Sequence, residues 1–250
     1  YLGDDIKNDN RRLDFLRYNG DLVVMTAIIL LAGGLFTALT INLFSLIDIH
    51  IEEFYFRNIA IWGLAAAPIV GTYLVQTNPQ LVNKVSPVIA KIFTPFVLVT
   101  LVVYLVAVIY TGKDPYNDRE FLLIFNLLLV GVMAITFFSI AESSKISSSK
   151  ITTVMLFALS IVTIIVNGIA LSAIVFRISE WGITPNRLAV LGSNILILLN
   201  LLYMSYRLFK TIKDKNEIEN VGNSIAFFLP LYSLWTMIVT FLFPVIFNFK

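Results

Sequence analysis

The 250-residue sequence has no cysteine and one histidine. Without cysteine there can be no disulfide framework, thiolate metal site or cysteine nucleophile. Charge is also scarce, at 14% of residues, where a soluble domain carries about a quarter. No phosphate-cradling glycine loop, no His-Glu-x-x-His and no Gly-x-Ser-x-Gly is present. The net charge of +2 is too small to suggest nucleic acid as a partner. No cofactor and no catalytic residue set is expected.

Apolar side chains are abundant, at 58% of residues, with a mean hydropathy of +0.86. Seven stretches contain no Asp, Glu, Lys, Arg or His: residues 22–47, 58–76, 92–111, 121–141, 151–176, 188–206 and 223–249. Each can cross a hydrocarbon core of about 30 Å as a helix rising about 1.5 Å per residue. Backbone amides in lipid must be paired within the segment, and none of the seven alternates as a barrel strand would. The expected fold is all-α, a polytopic transmembrane bundle of about seven spans. Residues 1–20 form a juxtamembrane segment and 21–250 one membrane domain, because the connections are too short to fold separately. Residue 1 is Tyr, so further sequence is expected before it, and that missing N-terminal part is one candidate partner. Segment 78–91 reads either as a re-entrant or surface helix or as the start of the third span.

Short connections allow Lys and Arg to be counted by side. Lys7, Arg11, Arg12, Arg17, Lys84, Lys91, Lys145, Lys150, Arg207, Lys210, Lys213 and Lys215 fall on one side; Arg57, Lys113, Arg119, Arg177, Arg187 and Lys250 fall on the other. The first side is expected to be cytoplasmic, and the C-terminus external. Tyr55, Tyr110, Tyr116 and Trp181 on one boundary, and Tyr18, Tyr73, Tyr203 and Tyr206 on the other, suit aromatic belts. Gly63, Ala67 and Gly71 share one helix face and suggest close helix contact. Gly34 with Ala38, and Gly168 with Ser172, repeat that spacing once each.

The segment Arg177-Ile178-Ser179-Glu180-Trp181-Gly182-Ile183-Thr184-Pro185-Asn186-Arg187 reads as a helix stop followed by a helix start. Gly182 suits the left-handed residue that ends a helix, Thr184 an N-cap and Pro185 the first helical turn. Two readings of its charges are open. In one, Glu180 neutralises Arg177 or Arg187 and Trp181 anchors the turn among headgroups. In the other, the two guanidiniums hold a phosphate or carboxylate, making Arg177, Glu180 and Arg187 a site for an anionic lipid or ligand.

The pattern Arg-x-x-Glu-aromatic-Gly-x-Thr-Pro-x-Arg, entering a Leu-rich span, resembles the bacterial membrane family designated domain of unknown function 4153. The basic connection from Arg207 to Lys215 and the last apolar span are similar to that family's C-terminal region. Trp181 is a departure, since members more usually have Tyr there. The resemblance implies a multi-pass bacterial inner-membrane protein of unassigned activity, with Arg177, Glu180, Gly182, Thr184, Pro185 and Arg187 as its motif positions.

Asn126, Asn167, Asn194 and Asn200 lie inside apolar spans. If the fifth and sixth spans are antiparallel about Gly182, Asn167 falls between Asn194 and Asn200 in depth. An amide pair could then join the two helices; the alternative is a polar lining for a substrate path. The acidic connection Asp48-Ile49-His50-Ile51-Glu52-Glu53 lacks the three or more converging ligands that a metal needs, so no metal site is expected. Pro68, Pro95 and Pro230 could break helices. Three functional classes follow in rank order. The first is an accessory, sensory or interaction component that meets membrane lipids and other membrane proteins. The second is a transporter or lipid-handling protein, and the third an intramembrane enzyme.

Overall fold

A computed structural model describes residues 9–77, 85–112, 119–143, 150–213 and 218–248. Among them there is no strand, and seven helices are long and apolar enough to cross a membrane. We label them α1 (Asp9–Ser45), α2 (Glu52–Thr77), α3 (Val85–Thr111), α4 (Arg119–Ser143), α5 (Lys150–Trp181), α6 (Pro185–Lys213) and α7 (residues 218–246). Five contain a whole charge-free stretch, and α1 and α7 cover all but the last two and three residues of theirs. The architecture is that of an all-α, multi-pass membrane protein.

Segment 78–91 resolves in part. Residues 85–91 are the first turns of α3, and 78–84 lie outside the described residues, as do Tyr116 and the serine-rich 144–149. α1 runs from Asp9 through residues 20 and 21 without a break. The prolines do not break helices either: Pro68, Pro95 and Pro230 sit within α2, α3 and α7. The irregular turns lie elsewhere, as π-helical segments at Phe56–Ala60 and Ile238–Leu242. Pro244 follows the second one. Its ring excludes the carbonyl four residues back, which favours a wider turn there.

α4 and α5 form the centre. α4 touches α1, α3, α5, α6 and α7, whereas α2 packs chiefly against α1. The main core joins Leu43 and Phe44 of α1, Leu101 and Tyr104 of α3, Phe125 and Leu129 of α4, Leu159 and Val166 of α5, and Leu201 and Met204 of α6. Its aromatic centre is tight: Phe44 and Phe125 each meet Tyr104 edge-on at 5.7 Å, and Phe121 stacks on Phe125 at 4.2 Å. Such offset and edge contacts suit the ring quadrupoles.

The small residues divide. Ala67 and Gly71 are buried against α1, and a Cβ at Gly71 would stand 2.8 Å from Thr26 Oγ1. Gly63, Gly34 and Gly168 face outward with nothing near them, so the spacing did not mark contacts there. Tyr55 also departs from its expected boundary role, being buried, whereas Tyr110, Tyr203, Tyr206 and Trp181 are exposed.

Helix ends follow backbone chemistry. α1 closes with Asp48 in the left-handed region (φ 58°), Ile49 N–H donating to Phe44 O and Asp48 N–H to Ser45 O. This is the Schellman arrangement, with Asp in the position glycine usually takes. Asp48 thus has a structural task. His50 lies 3.8 Å from Glu52, both well exposed, and no group of three metal-ligating side chains occurs among the described residues.

Candidate functional site

The turn between α5 and α6 is built as its residues dictate. Gly182 takes φ 75°, where a Cβ would be strained. Thr184 Oγ1 accepts from Arg187 N–H at 3.4 Å, and Pro185 is the first residue of α6. Arg187 then reaches back. Its Nη1 donates to Trp181 O at 2.9 Å and Gly182 O at 2.8 Å. These carbonyls end α5 and have no intrahelical donor, and they carry the negative end of the helix dipole. Thr184 therefore caps α6 while Arg187 caps α5.

Neither side-chain hydrogen bond of Arg187 goes to Glu180, which is exposed; of the two arginines expected as partners for Glu180, Arg187 is taken up by the helix cap. Both arginines also meet Trp181. The guanidinium carbons of Arg177 and Arg187 lie 5.7 and 5.8 Å from its ring centroid. Phe176 meets the same ring edge-on at 6.2 Å. Arg177 is buried, at 9% exposure, while Trp181 is half exposed. A tryptophan face attracts both cations and holds them near one another.

No family model, no curated protein and no solved structure matches this chain. Its own geometry must carry the functional reading.

A second polar region runs along α5, α6 and α7. Asn167, Asn194 and Asn200 are each 1% exposed or less. Asn167 Nδ2 donates to the backbone carbonyl of Asn194 at 3.2 Å, so the expected amide-to-amide pair does not form. Asn200 Nδ2 donates to Tyr232 Oη at 3.1 Å, joining α6 to α7. Ser205 donates to Ser160 at 2.7 Å lower on the α5–α6 contact. Both amide atoms of Asn194, and Oδ1 of Asn167 and Asn200, have no hydrogen-bond partner among the described residues. Asn126 is apart from this seam and donates to Leu122 O of its own helix. Sequence reasoning missed Trp235, whose Nε1 donates to Ala189 O and Ser193 Oγ across the α6–α7 contact. The signal was there in Gly192, a glycine inside an apolar helix with no helix end nearby.

The third feature left no local signature. A cavity of about 340 Å³ lies between α1, α3 and α4, with an almost wholly apolar wall.

Proposed function

We propose that this chain is a multi-pass component of a bacterial inner membrane, an accessory or lipid-handling protein that binds an anionic headgroup or ligand at the Arg177–Arg187 turn. The carrying observation is the convergence of two guanidiniums on Trp181 at the end of an apolar helix. Both described hydrogen bonds of Arg187 use Nη1, which leaves Nε and Nη2 to meet an anion. Two arginines in one place suit a phosphate or carboxylate, which each can grip through paired donors. The resemblance of residues 177–187 to the family of domain of unknown function 4153 agrees with a membrane role. On the Lys and Arg count the turn faces outward, and the start of α1 faces the cytoplasm.

Reporter fusions at Ser147 and Asn186 are expected to signal opposite sides of the membrane. The same side for both would mean that the chain between them does not cross once.

For binding, native mass spectrometry of gently solubilised protein with phosphatidylglycerol is expected to show a discrete adduct. Arg177→Gln with Arg187→Gln should weaken it by on the order of tenfold or more, since a charge-assisted hydrogen bond contributes about 1.5–3 kcal/mol. An adduct unchanged by the double substitution would leave the arginines with capping and packing alone.

A further inference from the structure

We infer that the cavity between α1, α3 and α4 is a slot for a single hydrocarbon chain of a membrane lipid. This goes beyond the headgroup reading and uses none of its residues.

The shape comes from the helices. On α1 the wall runs along one face from Ile28 to Leu43, about 22 Å at 1.5 Å per residue. That is most of a hydrocarbon core of about 30 Å. Water-sized atoms can centre in about 340 Å³ of it, and all its empty space, the open mouth included, is about 1090 Å³; over such a length that is at most about 50 Å² in section, against about 80 Å² for a helix about 10 Å across. Carbon atoms at van der Waals contact lie about 3.5–4.0 Å apart, so one chain fits that section. A transmembrane helix from a partner or a second copy does not.

The wall chemistry selects the same occupant. It is apolar almost throughout, and the Thr40 hydroxyl on it already donates to Phe36 O at 2.8 Å. Thr100 is the one other hydroxyl on the wall, so a polar ligand would be desolvated there with few replacement hydrogen bonds. An apolar chain is already at home at that depth and gains contact with fixed walls. Small residues make the room: Ala32 on α1, Ala90 on α3, and Gly131 and Ala134 on α4. Phe36 of α1 and Phe93 of α3, both on the wall, meet each other at 6.0 Å. The mouth opens to the side, where the lining residues Leu35 and Phe138 are themselves exposed. A chain can therefore enter laterally from the bilayer.

The test uses the whole protein in phosphatidylcholine vesicles doped with the same lipid carrying a diazirine mid-way along one acyl chain. A zwitterionic lipid makes the outcome independent of the arginine turn. After photolysis, adducts are expected to concentrate on slot residues such as Ala32 and Ile135, several-fold over Trp62 and Phe241, which face outward on α2 and α7. Gly131→Leu and Ala134→Phe fill the slot at two heights. Each should cut slot labelling by on the order of tenfold, since excluding two methylenes forfeits about 0.8 kcal/mol apiece. Labelling at Phe241 should persist, and Val130→Leu on the outward face of α4 should change nothing. A Cβ at 131 has only Leu39 nearby, at 3.9 Å, so the first variant fits the fold. Labelling spread evenly over slot, Trp62 and Phe241, or slot labelling that survives both filling substitutions, would overturn the inference.

Discussion

Replacing Gly192 by leucine is expected to lower the stability of the folded chain by about 2–4 kcal/mol, the sum of overpacking at about 1–3 kcal/mol and two interhelical hydrogen bonds at about 0.6 kcal/mol each. The Trp235 ring lies flat against this glycine, and any Cβ at 192 would fall inside it. The ring cannot move without consequence. Its Nε1 donates to Ala189 O at 3.2 Å and Ser193 Oγ at 3.1 Å, and its edge meets Phe243 at 6.0 Å. To make space it must swing toward the shallow recess bordered by Ile195, Leu231 and Leu234, which releases Nε1 into apolar surroundings. Unfolding in mixed mild-detergent and dodecyl sulfate micelles would measure the loss. The same substitution in a Trp235→Ala background should cost less than about 1 kcal/mol, because the clash is then gone. Equal losses in both backgrounds would show that the glycine acts through something other than the ring.

What was legible in the sequence follows from which energies are local. Removing a charge from water is costly wherever it happens, so the charge-free stretches marked every spanning helix. Backbone dihedrals are equally local. Gly182, Thr184 and Pro185 announced their roles because few residue types suit a positive φ, an N-cap or a first helical turn. Arg187 was visible as a charge, but its partners are the carbonyls of Trp181 and Gly182, and a carbonyl has no residue type. Asp48 was hidden for a related reason. It sits among other acidic residues, and nothing in that composition separates a helix end from a metal ligand.

Packing direction was the least legible part. In a soluble helix the polar face tells which side is inward. Here both sides are apolar, so the four-residue spacing of Gly34 with Ala38 and Gly168 with Ser172 defined a face without saying where it points. Both faces turn outward, while Ala67 and Gly71, with the same spacing, turn inward. The hydrocarbon slot belongs to the same class. It is the space that three helices fail to fill together, and no one of them carries the pattern alone.

Asn167→Asp is the other substitution with a large expected effect, a loss of about 3–4 kcal/mol. The side chain keeps its size but loses the amide donor. The replacement oxygen then faces the Asn194 carbonyl, which Nδ2 contacted at 3.2 Å. Residue 167 is fully buried near the middle of α5. An ionised aspartate at the centre of a span costs about 2.5–3.5 kcal/mol on insertion scales, to which the lost hydrogen bond adds about 0.6. Asn167→Leu should come within about 1 kcal/mol of the parent. It removes the bond but also the buried Oδ1, which has no partner among the described residues, and unpaired groups are the costly ones. Asn126→Asp should also be milder, because that side chain is only partly buried and bonds within its own helix. The comparison decides between the two roles open to the seam. If the amides are interhelical glue in a dry contact, the order of loss is Asp at 167, then Asp at 126, then Leu at 167. If the aspartate at 167 is tolerated, water reaches the middle of the bundle along α5 and α6. Asn167, Asn194 and Asn200 would then line a polar path, and transport would rise above the accessory reading.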